Sequence, residues 1–177
     1  MRPPEFSRLV PLARLGGAQF GGAQFGAAPF KDEIAATPDE CAALAARFGL
    51  LGLERLAARI TIERRPGDTI LLHATFEAAF TQECVISLEP VAGTVSDNFA
   101  LCYGPPDAET DGGADEPAFE PLEGDAIDVG EAVAQEFSLS LPPFPHLPDA
   151  AVEIDEAVDD EGPFAVLRGL GQSPGSQ

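Results

Sequence analysis

The serine of GQSPG (residues 171–175) stands in the letter pattern of a nucleophile elbow, the turn from which hydrolases present a reactive hydroxyl. That device needs a strand before it and a helix after it, so that the turn is held under strain. Ser173 lies in the last seven residues, and Pro174 lacks the N–H that a following helical turn would use, so no nucleophile is expected there. Asp107, Glu109, Asp111, Gly112 and Asp115 match the opening of a calcium loop, but Ala118 stands where the bidentate Glu is required. Pro105, Pro106 and Pro117 also exclude the flanking helices, which leaves only weak, unselective attraction of cations. His73 and His146 are far apart and have no patterned partner, so each is expected in a structural or solvent role, His73 on the wetter face of a strand. Cys41, Cys84 and Cys102 are odd in number and form no C-x-x-C pair, which argues against a disulfide framework and a zinc knuckle and for reduced, mostly buried thiols. No Gly-rich phosphate cradle, paired-His motif or Cys–His constellation is present. The expectation is a protein that is not an enzyme, with no catalytic residue, metal, cofactor or evident small-molecule substrate.

The elements that would position these residues are legible from periodicity. EFSRLVPL (5–12) reads as a short strand that Pro11 places at a sheet edge. GGAQF at 16–20 repeats identically at 21–25 and degenerately as GAAPF at 26–30, too short a period for a solenoid, so a Gly/Phe-rich loop is expected over 16–30. Thr37 can cap a helix, with Pro38 in its first turn, Glu40 at capping-box spacing, Cys41, Leu44, Ala45 and Phe48 on one face, and Gly49 as terminator. Leu56, Ala58, Ile60 and Ile62 then alternate with Arg55, Arg59, Thr61 and Glu63, a strand wet on one side. RRPGD (64–68) is turn chemistry. The return strand puts Leu72, Ala74, Phe76, Ala78 and Phe80 inward, and the same phase carries on to Cys84, Ile86 and Leu88, with a bend dividing so long a run. Phe99, Leu101 and Tyr103 predict another strand. Residues 104–124 predict a mobile acidic loop, and Asp128 caps a second helix with Glu131 at capping-box spacing and Val129, Val133 and Phe137 inward. LPPFPHLP (141–148) ends it, and an acidic tail follows, closed by the apolar PFAVL (163–167), which could pin the tail back to the body.

The fold expected is α+β, a small antiparallel meander with two main helices, in one domain over 1–148 with a partly disordered acidic tail over 149–177. No stretch reaches the ~20 apolar residues of a membrane helix, and 1–30 lack the apolar core of a signal peptide, so a cytoplasmic protein with no membrane partner is expected.

Charge is the strongest compositional signal. Of a net −20, eighteen carboxylates against one cation (Arg168) fall from Pro105 onward, while residues 1–104 hold twelve acids and nine bases. A field of that sign repels phosphates and attracts basic proteins.

CVISLEP (84–90), followed by IDVGEAVAQEFSLSLPPFP (127–145), resembles the YceD family, the large ribosomal RNA subunit accumulation proteins. The resemblance runs over most of the chain: EFSRLVPLARL, the helix TPDECAALAARFGLLGLERL as in alphaproteobacterial members, the acidic central loop and PFAVL. The residues that carry it include Cys84, Leu88, Glu89 and Pro90. It implies a bacterial, non-enzymatic factor needed for accumulation of large-subunit (23S) ribosomal RNA, whose gene commonly neighbours that of a small basic ribosomal protein. Many members carry C-x-x-C at the end of the long strand; here Ser87 replaces the second cysteine, and Cys84 is read as a core residue.

The leading expectation is an acidic clamp. Asp155, Glu156, Asp159, Asp160 and Glu161 of the tail, with Asp128 and Glu131 as further candidates, would engage a basic large-subunit ribosomal protein or a pre-ribosomal particle. Asp128 and Glu131 also have a plainer role as helix-start residues. The alternative is direct binding of precursor rRNA through Arg55, Arg59, Arg64 and Arg65.

Overall fold

The computed structural model of the protein describes residues 4–15, 28–65, 69–106, 117–122 and 124–151. The GGAQF copies, the tip of RRPGD, the calcium-loop-like acids 107–115, the tail candidates Asp155, Glu156, Asp159, Asp160 and Glu161, PFAVL and Ser173 lie outside the described residues.

Strand β1 (Leu9–Pro11) runs into a 3-10 turn at Leu12–Leu15, and β2 (Phe30–Ala35) precedes helix α1 (Pro38–Phe48). The helix starts where its sequence dictates: Thr37 accepts from the Glu40 amide at 3.3 Å and Glu40 accepts from the Thr37 amide at 2.8 Å, a reciprocal capping box. Gly49 ends it at φ 67°, a left-handed conformation open to glycine at no cost. The long strands β3 (Gly52–Arg64), β4 (Ile70–Glu83) and β5 (Pro90–Gly104) follow, then β6 (Ala118–Pro121), β7 (Ala126–Asp128) and helix α2 (Val129–Leu139).

The main sheet is ordered β2-β3-β4-β5-β6. Its first four strands are antiparallel neighbours, and β6 joins β5 in parallel, with Cys102 opposite Phe119. Strands β1 and β7 form a separate antiparallel pair, Pro11 opposite Ala126, which leads directly into α2. The fold is α+β, mostly antiparallel.

Alternation decides the faces. Leu56, Ala58, Ile60 and Ile62 of β3 and Leu72, Ala74, Phe76, Ala78 and Phe80 of β4 are buried against the helices. Phe137 of α2 has no exposed surface and lies edge-on to Phe48 at the end of α1 (5.9 Å between centroids), to Phe80 (5.8 Å) and to Phe76 (6.5 Å). One ring therefore ties both helices to the centre of the sheet, a burial that contributes about 2–3 kcal/mol.

Four features depart from the sequence reading. Strand β2 has no counterpart in it, because only Ile34 is buried and Asp32, on the inward phase opposite Ile60, sits at the exposed sheet edge. The second long strand stops at Glu83: residues 84–89 form a hairpin turn closed by Cys84 N–H donating to the Glu89 carbonyl at 2.8 Å, and Ile86 and Leu88 are exposed instead of sharing the core face. Strand β5 begins at Pro90, nine residues before Phe99, because Gly93, Asp97 and Asn98, poor strand formers, are held in the strand by pairing with β4. The expected loop over 104–124 contains β6.

Candidate functional site

Asp128 joins three elements. Its carboxylate accepts from the Ser7 hydroxyl at 2.6 Å, the Arg8 amide at 2.8 Å, and the Gly130 and Glu131 amides at 3.1 and 3.2 Å. It caps α2 as its spacing predicts and also holds the N-terminal segment. Gly130 must be glycine there, since a Cβ would stand 2.7 Å from the Phe6 carbonyl oxygen and 2.9 Å from the Arg8 nitrogen. Glu131 does not turn back to close a capping box. It takes a bidentate grip from Arg47 at the end of α1 (2.7 and 2.9 Å), and Arg47 also reaches Glu5 at 3.1 Å. Arg47 holds the Glu131 carboxyl below its ordinary range, and those carboxylates raise the Arg47 guanidinium. Arg8 forms a second bidentate pair with Glu40 (2.7 and 2.9 Å), which holds the Glu40 carboxyl down to about 2. Both Asp128 and Glu131, candidates for partner contact by charge alone, thus have their oxygens taken up within the fold.

The arginines of the alternative reading lie apart from one another in role. Arg55 pairs with Glu77 at 3.2 Å and Arg59 with Glu33 at 3.0 Å on the wet face of the sheet, while Arg64 donates to the Leu12 carbonyl at 3.2 Å. Arg65 and His73 are exposed. By strand register Lys31, Arg55 and Arg59 share that face with Glu33, Glu63 and Glu77, so it carries no cationic excess.

An acidic group that no sequence window contains forms where β5, β6 and α2 meet. Burial raises the carboxyl of Glu136, and the neighbouring charges of Glu120 and Asp97 raise it further. The buried Tyr103 hydroxyl is raised by desolvation and then by Glu120. Asp97 accepts from the Ser140 hydroxyl at 3.1 Å, and none of the three carboxylates takes part in an ion pair among the described residues. Glu120 reaches Glu136 through the parallel docking of β6, and Asp97 reaches the end of α2 through Ser140, neither of which has a signal in the linear sequence. Among the described residues no cluster of His, Cys, Asp and Glu is arranged to hold a metal.

The family-motif residues occupy the β4–β5 turn. Cys84 is fully buried, but under its own turn and the Pro145–Leu147 stretch instead of in the main core, which corrects its placement on the apolar strand face. The Ser87 hydroxyl and then the Ser87 amide, 3.3 Å from Sγ, hold this thiol down to about 6 against the effect of burial, with help from the Leu147 and Ile86 amides. Leu88 is the one non-glycine residue with positive φ (63°) among the described residues. Glu89 and Pro90 close the turn and start β5, Pro90 opposite Glu83. His146 is exposed and lies near the Phe144 carbonyl, and Cys41 and Cys102 are free thiols.

Fold and surface together define a small α+β protein that engages Arg8, Arg47, Arg55 and Arg59 in its own ion pairs and leaves Asp97, Glu120 and Glu136 without cationic partners among the described residues. No helix among them is long and apolar enough to cross a membrane. The family model described as "Large ribosomal RNA subunit accumulation protein YceD" matches residues 72–170, more than half of the chain, and the protein belongs to that family. Its role accordingly lies in accumulation of large-subunit ribosomal RNA. No curated protein and no solved structure matches the chain.

Proposed function

We propose that the protein supports accumulation of large-subunit rRNA without catalysing a reaction, by binding a basic large-subunit ribosomal protein or a basic protein patch of a pre-ribosomal particle. The observation that carries this reading is the uncompensated trio Asp97, Glu120 and Glu136, which extends the acidity of the loop and tail onto the folded body. Glu136, raised by burial and then by the charges of Glu120 and Asp97, gains with them from an incoming Lys or Arg, whereas the carboxylates already bound to Arg8 and Arg47 do not. Direct rRNA binding through Arg55, Arg59, Arg64 and Arg65 finds less support, because the first two are paired with Glu77 and Glu33 and the face they occupy is balanced in charge.

Crosslinking in cells, with identification of both protein and RNA partners, tests this. A basic ribosomal protein should be recovered, and it should be lost when Asp155, Glu156, Asp159, Asp160 and Glu161 are changed to Asn or Gln together with Glu120→Gln and Glu136→Gln. Recovery of RNA alone, dependent on Arg64 and Arg65, would sink the clamp.

A further inference from the structure

The β4–β5 turn and the stretch after α2 present an apolar surface that the fold goes out of its way to expose. Val85, Ile86 and Leu88 are 54%, 37% and 67% exposed on the one turn over 84–89, and Phe144 is 75% exposed. The two segments are bonded side by side: Val85 N–H donates to the Pro145 carbonyl at 2.9 Å, the Gln82 amide reaches the Pro142 carbonyl at 3.2 Å, and the Leu147 amide approaches Cys84 Sγ. Leu88 holds a left-handed backbone conformation in which Gly or Asn would be easier, and the reward for that strain is not burial, since its side chain points to solvent. A strained, exposed leucine beside three other exposed apolar side chains marks a surface that something covers.

We propose that PFAVL (163–167), in the same chain, covers it. Three observations select this occupant. The described chain ends at Ala151, four residues after Leu147 and on the segment that forms one wall of the patch. Eleven residues lie between Ala151 and Pro163, a chain length that as a coil spans roughly 20 Å on average and ~40 Å at most, enough to return to the turn. The family match spans both the turn and PFAVL and stops at residue 170, short of the polar end of the tail. Phe164, Val166 and Leu167 supply the apolar surface, and a tether of this length gives an effective concentration on the order of a millimolar, so even weak intrinsic affinity keeps the segment docked. Docking closes 152–162, with its six carboxylates and no cation, into a loop anchored at both ends. The docking itself does not depend on what that loop binds.

The test uses the full chain and amide hydrogen exchange with NMR shifts. In F164S/V166S/L167S the amides of 85–88 should exchange at least tenfold faster than in the wild type, with shifts confined to 84–90 and 142–147. L88N/F144S should release the PFAVL resonances to the same extent. Leu88→Asn suits the left-handed backbone, so this variant keeps the turn, and unchanged far-ultraviolet circular dichroism verifies the fold in both. A synthetic peptide of residues 161–170, added to the triple serine variant, should restore the wild-type shifts. Unchanged exchange and shifts at 85–88 in the triple serine variant overturn the proposal. Protection that disappears on dilution overturns it too, in favour of a second copy as occupant.

Discussion

Replacing Asp128 by Ala should unfold the protein far more readily while leaving partner recognition on the folded protein intact. The carboxylate caps α2, a contribution of about 1 kcal/mol. It also takes the Ser7 hydroxyl at 2.6 Å and the Arg8 amide at 2.8 Å, each worth about 1 kcal/mol net. The expected loss is therefore about 3 kcal/mol, a large share of the ~5–15 kcal/mol that holds a domain of this size. Asp128→Asn should cost under ~1 kcal/mol, because Oδ1, which takes all three backbone amides, survives and the Ser7 hydroxyl can rotate to accept. Urea unfolding followed by far-ultraviolet circular dichroism suits a chain with no Trp and one Tyr; the midpoint should fall with its slope unchanged. An Asp128→Ala protein within about 0.5 kcal/mol of wild type would refute the reading of Asp128 as the joint between β1 and α2. So would an intact fold that has lost its partner, which would return Asp128 to the binding surface.

Gly130→Ala inverts an ordinary rule. On an open helix the change stabilises by roughly 0.5–1 kcal/mol, but here the new methyl group meets the Phe6 and Arg8 backbone, so a loss of about 1–3 kcal/mol is expected in the same urea assay. Cys84 should ionise near pH 6, against an ordinary 9.0, when its thiolate ultraviolet absorbance is titrated, and Ser87→Ala should move that midpoint upward. Because the folded value is the depressed one, the stabilisation is complete above about pH 9 and is lost as pH falls through about 6. The urea midpoint of the wild type relative to Cys84→Ser should therefore rise from pH 6 to pH 9.

Periodicity carried α1, α2 and the facing halves of β3 and β4, since each repeats buried residues at a spacing that local geometry enforces: Cys41, Leu44 and Ala45 in one case, Leu56, Ala58, Ile60 and Ile62 in another. It failed where tertiary pairing overrides propensity. The strand pattern through Ile86 and Leu88 continues in letters, yet the chain turns at Cys84 because Glu89 and Pro145 offer it better backbone partners. Nothing in the residues before Phe99 announces β5, and nothing near Glu120 announces a parallel strand. The candidate site was legible to the same degree. Asp128 reads as a cap from its position before VGEA, but its grip on Ser7 spans 121 residues and has no local signature. Glu131 shows the limit most plainly: capping-box spacing is present, and Arg47, from the other helix, wins its carboxylate.

That competition bears on why the acidity stays available. Arg8, Arg47, Arg55 and Arg59 are each engaged by a carboxylate of the folded body, two of them bidentately. A cation held by two parallel hydrogen bonds gains little by moving to a solvated acid, because it would exchange ordered, half-buried bonds for solvated ones. These four arginines are thus committed to carboxylates of the folded body, and the sequence of residues 152–162 has no cation of its own. Asp97, Glu120 and Glu136, which take part in no ion pair among the described residues, are left to solvent ions or to another molecule. The larger the number of condensed cations a basic partner releases, the more its binding should weaken as salt rises.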